Sequence, residues 1–295
     1  MPQPIRIAIA GAAGRMGRRV TALAAADARF RVVAALEAPG SPQLGVDAGS
    51  LAGAAELGVP IAEGCAAEFD VMIDYSAPGG TIERLKECES RGRPIVVAVT
   101  GHTAGQQAAI DAAASRIAVL QAANLSVGAN EVLAAVERLA AALGAAYDVE
   151  IVEAHHRQKV DAPSGTALAL RDAVLRGRGT APAGAGGHAA VDEVVHGRSG
   201  RTGVRPAGQI GIHAVRGGEI VGEHEVRFEG PDESVIVRHV AHSRDAFARG
   251  ALAAAAWIVG RPPGRYSMCD LSAAPGGRPG RLAAASSPAA GRGPA

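Results

Sequence analysis

The chain has 295 residues and a formal net charge of +1, from 30 Lys plus Arg against 29 Asp plus Glu. That balance excludes the basic surface of a nucleic-acid or membrane-surface binder. Hydrophobic residues make up 48% but aromatics only 3%, so a core must come from Val, Ile, Leu and Ala, in two modest domains or one large one.

In chain order, the N-terminus "MPQPIRIAIAGAAGRMGRR" carries its basic residues mainly after the apolar run, the reverse of a secretory signal. "IRIAIA" (5–10) reads as a strand, followed by "GAAGRMG" and a helical pattern, "RRVTALAAA". Strands are predicted again at 30–37, 69–76, 94–101 and 116–124, with helices over "TIERLKECESRG" and "QQAAIDAAAS" between the later ones. Apolar strands alternating with helices predict a Rossmann-like, doubly wound parallel sheet.

After Asn124 the rhythm changes. "NEVLAAVERLAAALG" is a helix, "YDVEIVEAHH" alternates like a strand, and Pro163–Leu175 is helical. A long surface loop is expected over 177–205, with a short strand at 189–196. "QIGIHAVRG", "EIVGEHEVRFEG" and "SVIVRHVAH" then predict three strands without intervening helices, hence an antiparallel or mixed second sheet and an α+β domain. "SRDAFARGALAAAAWIVG" is a last helix, too apolar to stand alone, so it is expected to pack on the first domain; its apolar stretch "GALAAAAWIVG" is too short and Ala-rich to span a bilayer. The Pro/Gly/Ala/Arg-rich end predicts a disordered tail. The expected division is 1–126 plus 240–272, then 127–239, with 273–295 as tail. Cys65, Cys88 and Cys269 form no CxxC pair, which argues against a zinc site or disulfide scaffold and for the cytoplasm.

Gly11-x-x-Gly14-x-x-Gly17 directly follows a strand and opens a helix. A dinucleotide pyrophosphate could be cradled there, with Gly14 allowing close backbone approach and helix N-terminal amides facing the phosphates. The spacing departs from GxGxxG, and an ordinary Gly-rich turn fits the loop equally well when it is taken alone. Glu37 tips the balance: it ends the second strand, 20 residues past Gly17, where a carboxylate can accept from a ribose hydroxyl. Arg15 is placed either over the phosphates or in solvent. The strand ends "AVTGHT" (98–103) and "AANLSVGAN" (122–130) offer small residues against which a flat ring could lie, and the second holds both asparagines of the chain.

The stretch "EAHHRQKVDAPSGTALA" (153–169) carries the acid/base candidates. His155-His156 alone reads better as an exposed polar strand end than as a site, and a metal is poorly supported. Downstream, Pro163 reads as the first turn of a helix. The orphan amides of Ser164, Gly165 and Thr166, with two hydroxyls, suit a carboxylate. Lys159 is one of only two lysines beside many arginines, and lysine, unlike arginine, releases a proton when desolvated.

"EIVEAHHRQKVDAPSGTA" (150–167), with "IAGAAGRMG", "ALE", "AANLSVGAN" and "IVGEHEVRF" in that order, resembles the 4-hydroxy-tetrahydrodipicolinate reductases (dihydrodipicolinate reductases) over roughly residues 5–270. The resemblance implies NADH or NADPH as reductant of a small cyclic dicarboxylate in diaminopimelate and lysine biosynthesis. It also implies a first domain completed by the C-terminal helix and a homotetramer formed through the second sheet. His155 then matches the acid/base residue and Lys159 the proton donor, while His156, Gly165 and Thr166 hold substrate carboxylate. Cofactor positions match Gly11, Ala12, Ala13, Gly14, Arg15, Met16, Glu37, Ala98, Val99, Thr100, Ala122, Ala123, Asn124 and Leu125. There are three departures. Ala38 stands where a basic residue can meet a 2′-phosphate, so NADH preference or dual use is expected. "AVT" replaces Gly-Thr-Thr at 98–100, and the chain beyond Leu271 differs.

Overall fold

In the computed structural model, which describes residues 3–179 and 194–273, the first half of the chain alternates strand and helix. The order is β1 (Ile5–Ala10), α1 (Arg15–Ala25), β2 (Phe30–Leu36), α2 (Ala48–Leu51), β3 (Ile61–Ala62), β4 (Val71–Asp74), α3 (Pro78–Arg91), β5 (Ile95–Val97), α4 (Ala104–Ala114) and β6 (Ala118–Gln121). These strands form a parallel sheet ordered β12-β6-β5-β4-β1-β2-β3, closed at one edge by β12 (Gly264–Tyr266) running parallel to β6.

Every residue of β4 and β5 is buried, as a sheet covered on both faces requires. Ile7, Ile9, Ile73 and Val96 pack on one face against α1 and against α7 (Asp245–Ile258). Ala8, Ala10, Met72, Ile95 and Val97 pack on the other with Leu85 and Ile110 of α3 and α4. The Ala-rich α7 lies close because Gly250 has no side chain: a Cβ there would sit 1.7 Å from the Leu125 carbonyl oxygen. The short β12 and α8 (Met268–Ala273) complete this unit.

α5 (Val127–Leu143) leads to the second sheet, made by β7 (Asp148–His155), β8 (Val194–Val195), β9 (Ile210–Arg216), β10 (Gly222–Glu229) and β11 (Ser234–Ala241), with α6 (Gly165–Gly177) following β7. Its order is β11-β10-β7-β9-β8. β10 pairs antiparallel with β7 and β11, whereas β9 runs parallel to β7 and β8, so the sheet is mixed. Alternate residues Val149, Ile151, Ile210, Ile212, Val226 and Phe228 face α5 and α6. The opposite face carries Glu150, Glu225, Arg227 and Arg238, with Val215 and Ile236 exposed. Most of the expected strand 189–196 and all of the expected tail after Ala273 lie outside the described residues. Among the described residues no helix is long and apolar enough to cross a membrane.

Candidate active site

From β1 the chain winds outward through β2 to β3, then returns to β4 on the other side of β1. The crevice for a ligand therefore opens at the carboxyl ends of β1 and β4, where the glycine loop lies. Gly11 has φ +71° and a Cβ there would sit 2.4 Å from the Tyr75 carbonyl oxygen; at Gly17 it would sit 2.1 Å from the Gly11 oxygen. α1 is capped by Gly14, which supplies no side-chain bond, so an anion is free to meet its first-turn amides. These are the features a pyrophosphate needs, and the loop fits one. Arg15 is exposed. Glu37 bends back onto the loop, accepting from the Ala13 and Ala38 amides at 3.1 Å each, which leaves lone pairs for a hydroxyl donor.

The two later strand ends reach the same edge. Val99 is 8% exposed with its side chain in the core, so only its backbone is available, while Thr100 is exposed. Leu125 is likewise core, 2% exposed, and its carbonyl faces Gly250. Ala98 and Ala122 are half-buried and Ala123 exposed. Both asparagines work at this junction. Asn130 Nδ2 donates to the Asn124 and Ser126 carbonyls at 2.8 and 2.7 Å. Asn124 Oδ1 accepts from the Ser126 amide at 2.8 Å, and its Nδ2 donates to Thr166 Oγ1 at 3.1 Å. That last bond ties the loop after β6 to the start of α6.

β7 places Glu153 and His155 on its inward face, continuing Val149 and Ile151. Glu153 is fully buried. Its Oε2 accepts from His155 Nδ1 at 2.6 Å and Arg216 Nη1 at 2.7 Å; its Oε1 accepts from Arg216 Nη2 at 2.7 Å and the Ser164 amide at 3.1 Å. Burial alone would raise the Glu153 pKa, but the bonds from Arg216, His155 and Ser164 outweigh it and hold the carboxyl below its usual range. For His155 burial dominates and lowers the pKa from 6.5, with Glu153 opposing and Lys159 and Arg216 assisting. His224 meets His155 edge-on, ring centroids 5.1 Å apart, and its Nε2 lies 3.1 Å from Ser164 Oγ. Burial, aided by the His155 charge, pushes the His224 pKa down to about 4.

After His155 the chain turns, packed on the Gly217–Gly218 turn through Arg157 and Gly217 amide bonds. Lys159, 20% exposed, pairs with both Asp161 oxygens at 2.8 and 2.9 Å, and this keeps the Asp161 pKa low. The buried His156 Nδ1 has no protein partner.

The helix begins later than its sequence suggests. Pro163 precedes the cap; Ser164 is the N-cap and Gly165 the first helical residue. Ser164 is 2% exposed, its hydroxyl accepts from Ala167 and its amide donates to Glu153, so it braces the helix and is not open to a carboxylate. Gly165 is exposed, with nothing near its Cβ position. The carboxylate donors expected at the helix start thus reduce to Gly165 and Thr166.

Sequence reasoning missed Arg216 and His224. Both sit at inward positions of otherwise apolar alternating strands, and that is the signal they left. Register delivers them: His155 stands opposite Arg216, and Glu153 opposite His224. Among the described residues no cluster of side chains forms a metal site.

With a glycine-loop crevice on one sheet and a buried Glu–His–Arg cluster on the other, joined through Asn124–Thr166, the molecule is by class a nicotinamide-dependent oxidoreductase. Residues 5–125 match the family model described as dihydrodipicolinate reductase, N-terminus, and residues 128–271 match dihydrodipicolinate reductase, C-terminus. The chain belongs to the dihydrodipicolinate reductase family. A relative from Rubrobacter xylanophilus, named 4-hydroxy-tetrahydrodipicolinate reductase, is 46% identical over 273 residues, covering 92% of this chain and 100% of its own. One of the same name from Anaeromyxobacter dehalogenans is 42% identical over 276 residues, covering 92% and 99%. The solved structure of dipicolinate-bound dihydrodipicolinate reductase from a Paenisporosarcina species overlays with TM-score 0.69 at 25% identity, covering 90% of this chain and 97% of that one.

Proposed function

We infer that the chain reduces 4-hydroxy-tetrahydrodipicolinate to tetrahydrodipicolinate with NADH or NADPH, in the diaminopimelate route to lysine. The observation that carries this is the Asn124–Thr166 hydrogen bond of 3.1 Å, which makes the cofactor edge and the dicarboxylate-binding helix start one contiguous site. The backbone of Gly11, Ala12, Ala13, Gly14, Arg15 and Met16 would hold the pyrophosphate and Glu37 the ribose. Backbone at Ala98, Val99, Thr100, Ala122, Ala123 and Asn124 would border the nicotinamide, with Leu125 anchoring that loop in the core. The bound cofactor supplies a hydride.

The chain's own residues supply orientation and protons. Gly165, Thr166 and His156 hold a substrate carboxylate, so the ring is presented in one pose. Eliminating the 4-hydroxyl together with a hydrogen of the neighbouring ring carbon releases water and leaves a carbon–carbon double bond. Saturating that bond takes one hydride on the carbon that bore the hydroxyl and one proton on its neighbour. Lys159, held by Asp161, donates it. His155 serves as acid/base through Nε2, since Nδ1 is committed to Glu153.

The domain division 1–126 with 240–272, and 127–239, belongs to the same reading, supported by α7 and β12 sharing the first core and sheet. So does a homotetramer, supported by exposed Val215 and Ile236 on the outer face of the second sheet, and a cytoplasmic location. The test is oxidation of NADH and NADPH by the full chain with substrate freshly generated by a coupled synthase. Turnover dependent on that substrate supports the reading, and cofactor binding without turnover would favour a nucleotide-sensing protein.

A further inference from the structure

We propose that Glu153 is a positioning residue of this reaction: it fixes which nitrogen of His155 exchanges the proton, and Arg216 sets how strongly that proton is held. The inference rests on the role given to His155 above. Glu153 stands at an inward, fully buried strand position next to Ile151, where an apolar side chain would be accommodated without any charge to desolvate. A buried ion pair is weak support for stability compared with an apolar residue of the same volume, so a fully satisfied one here points to a different use.

Geometry supplies that use. An ionised carboxylate only accepts hydrogen bonds, so His155 Nδ1 must carry the hydrogen that meets Glu153 Oε2 at 2.6 Å. Nε2 is then the exchanging nitrogen in both protonation states. It lies 3.2 Å from where a Cβ on Gly222 would be, and the missing side chain leaves that edge of the ring open. The other Glu153 oxygen accepts from the Ser164 amide, the cap of α6. One carboxylate thus locks the acid/base ring to the helix whose first residues receive the substrate.

Arg216 extends the lock to the second proton-handling residue. Besides both Glu153 oxygens, its Nη2 donates to the Asp161 carbonyl at 2.7 Å, and the Asp161 side chain holds Lys159. The groups facing His155 are Glu153 on its own strand, Arg216 from β9, His224 from β10, and Lys159 and Asp161 from the following turn, with His239 of β11 paired opposite His224. His224 is neutral at working pH. The proton affinity of His155 therefore follows from burial, Lys159 and Arg216 acting together against Glu153.

The two substitutions pull in opposite directions. Glu153→Gln removes the anion and keeps an acceptor, so the His155 ionisation falls, by roughly one to two pH units for loss of a directly bonded charge. Arg216→Gln removes a cation, so the Glu153–His155 pair holds its proton more tightly and the ionisation rises. Two measurements on the full chain read this: the pH profile of kcat/KM, and the histidine 13Cε1 titration without substrate, both assigned by comparison with His155→Gln. Opposite shifts are expected in both. Shifts in the same direction, or none, would overturn the inference, because a merely structural brace would lower activity without moving the ionisation. If Glu153→Gln does not fold, Arg216→Gln decides alone: an upward shift supports the inference and any other result overturns it. The failures are separable. A wild-type kcat/KM profile with no limb that His155→Gln abolishes removes His155 from the chemistry, whereas a limb present but unmoved in the variants overturns only the positioning role.

Discussion

His224 gives the molecule a pH-dependent stability that one substitution isolates. The side chain is 4% exposed, and its pKa falls from 6.5 to about 4 because burial disfavours the imidazolium. The unfolded chain binds a proton below its ordinary pKa while the folded one does not, so the contribution is fully present above pH 6.5 and lost as pH falls toward 4. Within that window each pH unit costs up to about 1.4 kcal/mol, and going from pH 7.5 to 5 removes about 2 kcal/mol. His224→Gln leaves an amide near Ser164 Oγ, which Nε2 meets at 3.1 Å, and cannot titrate. Urea unfolding of both proteins at matched concentration, from pH 7.5 to 5, should show the wild type losing about 2 kcal/mol more than the variant. His155 and His239 are partly buried with lowered pKa but are common to both proteins and largely cancel. Parallel pH profiles would refute the reasoning, since a His224 that stays neutral for structural reasons must leave this trace.

Lys159→Ala should lower kcat by about 100-fold or more, the scale of a lost proton donor, while the Kd for NADH stays nearly unchanged; an unaltered kcat removes Lys159 from the chemistry. Because Ala38 follows Glu37, steady-state kinetics should show NADH preferred or both cofactors used, and a strong preference for NADPH would contradict the reading of that strand end. In Gly17→Ala the new Cβ would sit 2.1 Å from the Gly11 oxygen and 2.7 Å from Ala12 Cα, forcing the loop to shift. Titration by fluorescence should show NADH binding weakened about tenfold or more, and unchanged binding would place the pyrophosphate elsewhere.

Long apolar strands were the most legible part of the sequence. β1 and β2 start where their apolar runs start, and both faces are buried from Ile7 in β1 and from Ala34 in β2 onward. β12 left no comparable signal: three residues, "GRY", show no period, and the strand exists because β6 offers a free edge and Tyr266 packs on Trp257 at 5.4 Å. The start of α6 was misplaced by two residues because Pro163 is as acceptable before a cap as inside a first turn, and Ser164 proved the better cap. At the site, the segment from His155 to Thr166 was readable because its groups are neighbours in the chain. Arg216 and His224 lie about 60 residues or more from Glu153 and meet it only through sheet register. An Arg and a His on inward strand faces were visible, but their partner was not. The concentration of asparagine at 124 and 130 has a physical cause: the two side-chain amides brace the loop after β6 by bonding the Asn124 and Ser126 carbonyls and Thr166.

Isotope transfer tests the central claim most directly. Nicotinamide cofactor deuterated at C4, supplied on each face in turn, is incubated with the full chain and freshly generated 4-hydroxy-tetrahydrodipicolinate, and the product is read by mass spectrometry. The account predicts one deuterium on the ring carbon of tetrahydrodipicolinate from one face only, and no transfer when substrate is omitted. Product free of deuterium from either face, or no product while the cofactor stays bound, would contradict it.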